Sequence, residues 1–115
     1  MKTVVEKKCA VIKTLRLISA KWKPCILCHL MDSDKRYGQL LQMIPNVSKK
    51  MLTQHLRELE LDGLINRKTH PVVPPRVDYS LTEKGKSLRS VFQILESWGM
   101  TNLAGAKSIE EMIAY

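Results

Sequence analysis

Between Ser48 and Gly63 the chain carries a helix whose two ends are both marked. Ser48 is a residue type whose hydroxyl accepts from the free N–H groups of a first turn, and Gly63 sits where a terminating residue turns left-handed. Leu52, Leu56 and Leu59 repeat at i, i+4 and i+7 and form one apolar stripe. At about 100° per residue, Lys49, Lys50, Thr53, Gln54 and Arg57 fall within one arc of about 140°, centred well away from the leucines. A helix of about residues 48–62 is therefore anchored on one face and presents long hydrogen-bond donors on the other. The fold must bury the first face and leave the second accessible.

After Gly63 the period changes. Leu64–Lys68 and Val77–Leu81 read as two short strands, with alternation clearest in the second. Thr69–Arg76 joins them and contains Pro71, Pro74 and Pro75, which stiffen the segment and remove ladder donors. It reads as the protruding tip of a basic hairpin over about residues 64–81.

The segments before Ser48 are helical. Val11, Leu15 and Ile18 mark a first helix, closing at Ser19–Lys21. Pro24 suits the first turn of a second, with Ile26, Leu27 and Leu30 on its core face. Tyr37, Leu40, Leu41 and Ile44 support a short third helix, ended by Pro45-Asn46. After the hairpin, Thr82-Glu83 opens a helix with apolar positions Leu88, Val91, Phe92, Leu95 and Trp98. Ser108–Glu111 has a capping-box pattern and opens a terminal helix running to Tyr115. Short helix, turn, basic-faced helix and stiff basic hairpin form a winged helix-turn-helix. The expected fold is mainly α with a small two- to three-stranded β wing, in a single domain over residues 1–115.

Charge agrees with this arrangement. The chain has 19 Lys+Arg against 11 Asp+Glu, net +8, with pI about 9.6. By segment, residues 1–47 have nine basic and three acidic groups, 48–76 six and three, and 77–115 four and five. A polyanion such as double-stranded DNA should meet the first two thirds. The last third, residues 77–115, is near neutral, and within residues 82–115 the last helix pair, Leu88–Trp98 and Ile109–Tyr115, carries more apolar surface than so small a domain needs. With the first helix it is the expected dimer surface, through Val11, Leu88, Val91, Phe92, Leu95 and Trp98. No apolar run approaches the roughly 18–20 residues of a membrane span, and the charged start Met1–Lys8 is not followed by a signal-peptide stretch. Three cysteines do not read as a secreted disulfide framework, so the expected location is cytoplasmic.

The sequence resembles the HxlR-type transcription regulators, a branch of the winged-helix group related to the MarR-like regulators. The likeness rests on Cys9, on Ile18-Ser19-Ala20-Lys21-Trp22 in place of Ile-Gly-Gly-Lys-Trp, on Arg36–Leu40 and Ile44–Leu52, on Leu56–Glu60 with Gly63-Leu64-Ile65, and on Val73–Thr82. It spans about residues 9–99, and the wing segment is its most specific part. Ser19-Ala20 replaces two glycines, and there are three cysteines instead of one. The resemblance implies a homodimeric prokaryotic regulator binding an inverted-repeat operator. It also implies a role for Cys9, because some members use a cysteine there as a redox or electrophile sensor, often through a disulfide across the dimer.

The candidate DNA contacts are Ser48, Lys49, Lys50, Thr53, Gln54 and Arg57 on the recognition helix, Arg76 and Lys68 on the wing, and Arg36, with Lys35 beside it. Gln54 can pair with adenine, and Lys49, Lys50 or Arg57 with guanine or phosphate. Ser48 and the helix start suit a phosphate. Arg76 suits a narrow minor groove, with a salt bridge to Asp78 as the alternative.

Cys9, flanked by Lys7 and Lys8 just before a helix, is placed to favour a thiolate; an inert interface thiol is the other reading. Cys25 and Cys28 form a Cys-x-x-Cys with no second ligand pair, so core burial is the favoured reading, with Cys25 packed beside Ile26. His29, His55 and His70 lack metal-ligand spacing, so neither a metal nor a cofactor is expected. An oxidant or small-molecule effector stays open, as do two other classes. One is a winged-helix module binding an acidic protein. The other is a small thiol redox or metal protein using Cys25 and Cys28. No nucleophile–base–acid set or phosphate-binding glycine loop supports an enzyme.

Overall fold

A computed structural model describes residues 9–114; Lys7, Lys8 and Tyr115 lie outside them. The elements are α1 (Ala10–Ile18), α2 (Lys23–Asp32), β1 (Lys35–Arg36), α3 (Tyr37–Met43), α4 (Lys49–Leu61), β2 (Ile65–His70), β3 (Arg76–Leu81), α5 (Glu83–Lys86), α6 (Arg89–Asn102) and α7 (Ile109–Ile113). The sheet is antiparallel with order β1-β3-β2, so the wing has three strands. The additional strand is the two-residue β1, directly after the turn that closes α2. Two residues carry no period, and only their pairing, Lys35 with Tyr79 and Arg36 with Asp78, makes them a strand.

The centre of the molecule is α2. Ile26 to Met31 are buried without a break, so this helix is covered all round instead of on the single face expected. In one core cluster with it are Leu40 and Ile44 of the α3 region, Leu52, Leu56 and Leu59 of α4, Leu64 and Ile65 at the start of the wing, and Leu88 and Phe92.

The turn between α3 and α4 passes through Asn46 at φ 68°, a left-handed conformation that asparagine tolerates better than most side chains. Ser48 then caps α4, its hydroxyl accepting from Met51 N at 3.0 Å. At the other end Gly63, at φ 77°, ends α4 and turns the chain into β2.

The helix expected from Thr82 onward is in fact two. It breaks at Ser87-Leu88 into α5 and α6, because Gly85 must pass against the carbonyl of Leu64 to bring Leu88 and Phe92 onto the core. That rotation corrects two expected interface residues. Leu88 is 8% and Phe92 6% exposed, both within the chain's own core. The outward face carries Ile94, Leu95 and Trp98 instead; Met100 and Leu103, elsewhere around α6, and Val11 and Leu15 of α1 are also exposed. Val91 is half-buried against the core.

Candidate nucleic-acid interface

On α4 the leucine stripe is spent on the core, and the opposite face is open. Lys49, Lys50, Gln54 and Arg57 are exposed and Thr53 is half-buried; these five line a single shallow depression together with Glu58. The arc derived from helical periodicity is therefore a continuous surface. Ser48 is exposed at its N-terminal edge, beside the free N–H groups of the first turn.

Two features of this face had no sequence signal. Tyr37, which reads as a core residue, directs its hydroxyl at α4, donating to Lys49 O at 3.1 Å and lying 3.2 Å from Thr53 Oγ1. Glu58 sets a negative charge beside the donors. However, it is engaged by His55 Nδ1 at 3.4 Å and by Lys23 Nζ at 3.5 Å. The His55 hydrogen bond, and then the Lys23 charge, hold its carboxyl below the ordinary value. Lys23 and His55 are themselves buried, so α4 is joined to the start of α2 through this carboxylate. An i, i+3 His–Glu pair is visible in sequence; the lysine 35 residues away is not.

On the wing, β2 and β3 pair from Ile65 with Leu81 to His70 with Arg76. Val77, Tyr79 and Leu81 turn toward the core, while the other face of β3 carries Arg76, Asp78 and Ser80. Arg76 Nε lies 3.4 Å from Asp78 Oδ1, the pairing weighed against DNA contact from sequence. Its side chain is 41% exposed, although Nε itself is buried and has no hydrogen-bond partner among the described residues. Lys68 is exposed on β2, and Arg36, exposed on β1, faces the same carboxylate at 3.9 Å. Lys35 is different. It is 4% exposed, with Nζ donating to Asp32 Oδ2 at 3.3 Å, to Ser33 O at 3.2 Å and to the Ser33 hydroxyl, so it is not available to a ligand.

The helix and the wing are held in a fixed relation by Thr82. Its hydroxyl donates to Gly63 O at 2.6 Å and accepts from Gly85 N at 3.0 Å, and its amide donates to Leu64 O at 3.0 Å.

Cys9 is half-buried at the N-cap of α1, and its carbonyl accepts from Lys13 N at 2.9 Å. Cys25 and Cys28 are free thiols in α2, the first half-buried and the second buried. Burial raises both, and with Cys25 and Glu96 nearby Cys28 is pushed up to about 11. Among the described residues no group of three or more His, Cys, Asp or Glu is placed to hold a metal ion, and no helix is long and apolar enough to cross a membrane.

The model of the HxlR-like helix-turn-helix family matches residues 17–107, which include α4, the wing and α6. The chain belongs to that family. It is 49% identical over 90 residues to the HTH-type transcriptional regulator YtcD of Bacillus subtilis (strain 168), covering 78% of this chain and 71% of the relative. The crystal structure of an HTH-type regulator ytcD superposes with a TM-score of 0.79 at 46% identity, covering 83% of this chain and 97% of that one. The redox regulator HypR in its oxidized form superposes with a TM-score of 0.76 at 40% identity, covering 82% and 97%. Cys9 lies outside the segment that the HxlR-like model matches.

Proposed function

We propose that this chain is a cytoplasmic transcription regulator that binds double-stranded DNA as a homodimer, with α4 in the major groove and the wing on the adjacent backbone or minor groove. The observation that carries this reading is the single open surface of Lys49, Lys50, Thr53, Gln54 and Arg57, backed by buried leucines and flanked by Arg36, Lys68 and Arg76. A major groove admits one helix and is read there by side chains of these types. Membership in the HxlR-like family and the likeness to YtcD point the same way. The exposed apolar faces of α1 and α6 supply the dimer surface, and a two-fold dimer calls for an inverted repeat.

Titration against salt tests it. Affinity should fall with a log–log slope of about −0.9 per phosphate contacted, and an inverted repeat selected by the protein should outcompete random duplex. Gln54→Ala with Arg57→Ala should remove most of that preference; unchanged affinity and preference would show that α4 is not the reading element. Absence of any salt-dependent, site-preferring DNA binding would favour the acidic-protein alternative.

A second reading concerns the input. The likeness to HypR and the place of Cys9 at a helix start support oxidant sensing by Cys9. Diamide should then produce a covalent dimer on non-reducing gels and change DNA affinity. Cys9→Ser should abolish both effects, and a response surviving in that variant would exclude Cys9.

A further inference from the structure

An acidic residue on a surface meant for a polyanion needs a reason, and Asp78 is such a residue. On β3 it has Arg36 directly opposite on β1 and Lys68 directly opposite on β2, with Arg76 two residues upstream on the same face. Its Oδ1 lies 3.4 Å from Arg76 Nε and 3.9 Å from Arg36 Nε; its Oδ2 lies 2.8 Å from His70 Nε2. One carboxylate, 26% exposed, thus ties side chains from all three strands. Arg36 and Arg76 both line the cleft between the start of α3 (Tyr37, Gly38) and the wing tip (Val72 to Pro75). An isolated exposed ion pair contributes little to stability and holds no fixed geometry. Here one half-buried carboxylate is hydrogen-bonded to His70 and faces the Nε atoms of both arginines, so the three share one counter-charge.

We propose that Asp78 is a positioning residue for recognition: it holds Arg36 and Arg76 at a set separation and orientation across this cleft, so that the wing engages one DNA shape in preference to others. The proposal rests on the DNA-binding reading above. Electrostatics alone makes the opposite prediction, which gives the test its force. Removing Asp78 raises the net positive charge by one, and a plain attraction to phosphate should then strengthen on every duplex. Loss of positioning instead frees two long side chains, which must be ordered again on binding, and the loss falls on the preferred duplex.

The test uses the full chain and two probes of equal length, a duplex selected by the wild-type protein from a random pool and a scrambled version of it. In Asp78→Asn the preference for the selected duplex should fall about tenfold, the scale of one mismatched base pair, while scrambled binding stays equal or tightens. Equal tightening on both duplexes would overturn the proposal, since Asp78 would then only repel phosphate. Arg36→Gln with Arg76→Gln is a second route that does not depend on the folding of Asp78→Asn. It should lower the preference to a similar level, and adding Asp78→Asn to that pair should lower it no further. Full preference in the arginine pair would also overturn the proposal. A wild-type protein showing no salt-dependent preference between the probes would overturn the DNA reading, and this proposal with it.

Discussion

Tyr37 and Thr53 are joined hydroxyl to hydroxyl at 3.2 Å, across the turn between α3 and α4. The Tyr37 hydroxyl also donates to Lys49 O at 3.1 Å. α4 is thereby bolted to its neighbour through its first two turns. Tyr37→Phe should cost about 1 kcal/mol in urea unfolding with an unchanged m-value, and it should weaken site preference more than binding to random duplex. Unaltered preference would mean that α4 needs no such fastening.

Gly85 has no room for a side chain. A Cβ there would overlap the carbonyl of Leu64, a backbone group that also accepts from Thr82 N. Gly85→Ala should therefore destabilise the fold by about 1–3 kcal/mol and loosen the wing against α4. Denaturant midpoints check it; a midpoint shift near zero would show that the backbone there yields freely.

The two sides of α6 should respond differently to substitution. Phe92 belongs to the core, and Phe92→Ala should cost about 3–5 kcal/mol of unfolding free energy. Leu95 and Trp98 face outward at 48% and 61% exposure. Leu95→Lys with Trp98→Lys should leave the fold near wild-type stability and, in sedimentation, convert a dimer to a monomer. A dimer surviving both changes would place the self-association surface elsewhere.

His29 gives a pH dependence of stability. It is 2% exposed, its Nδ1 has no hydrogen-bond partner among the described residues, and burial followed by the charge of Lys35 lowers it from its ordinary 6.5, with Asp32 opposing. The folded state resists the proton that the unfolded chain accepts. Its contribution is therefore present above about pH 6.5 and is lost as pH falls through the lowered value. Between pH 7.5 and 5.0 the wild type should lose more stability than His29→Leu. Parallel losses would exclude His29 as the cause.

Cys28 should be inert in the native protein. With its thiol pushed up to about 11, only about one molecule in a thousand is thiolate at pH 8, and the thiolate is the reactive form. Brief iodoacetamide treatment followed by mass spectrometry should find Cys28 unmodified until denaturant is added. Rapid native labelling would revive the reading of Cys25 and Cys28 as a thiol redox pair.

The basic-faced helix α4 was legible because its information is local. Ser48 and Gly63 act within one turn of themselves, and the placing of Leu52, Leu56 and Leu59 opposite Lys49, Gln54 and Arg57 follows from the helical repeat alone. The wing was legible for the same reason, through alternation at Val77–Leu81 and the prolines of its tip. Three things could not be read locally. A two-residue strand has no pattern of its own. The break at Ser87-Leu88 depends on what Gly85 meets in space. Which apolar residues of α6 face inward depends on the rotation which that break imposes, so Leu88 and Phe92 went to the core and Leu95 and Trp98 did not.

Capping, periodicity and proline geometry operate over a few residues, and they suffice to dictate a basic-faced helix followed by a stiff hairpin. How the cations are used was settled in three dimensions. Lys35 is buried on Asp32 and Ser33, Lys23 is drawn inward to Glu58, and Arg36, His70 and Arg76 gather on Asp78. Lys23 and Glu58, or Arg36 and Asp78, are tens of residues apart and interact only once the fold brings them within a few ångströms, while near neighbours such as Arg76 and Asp78 pair only if the strand puts them on one face.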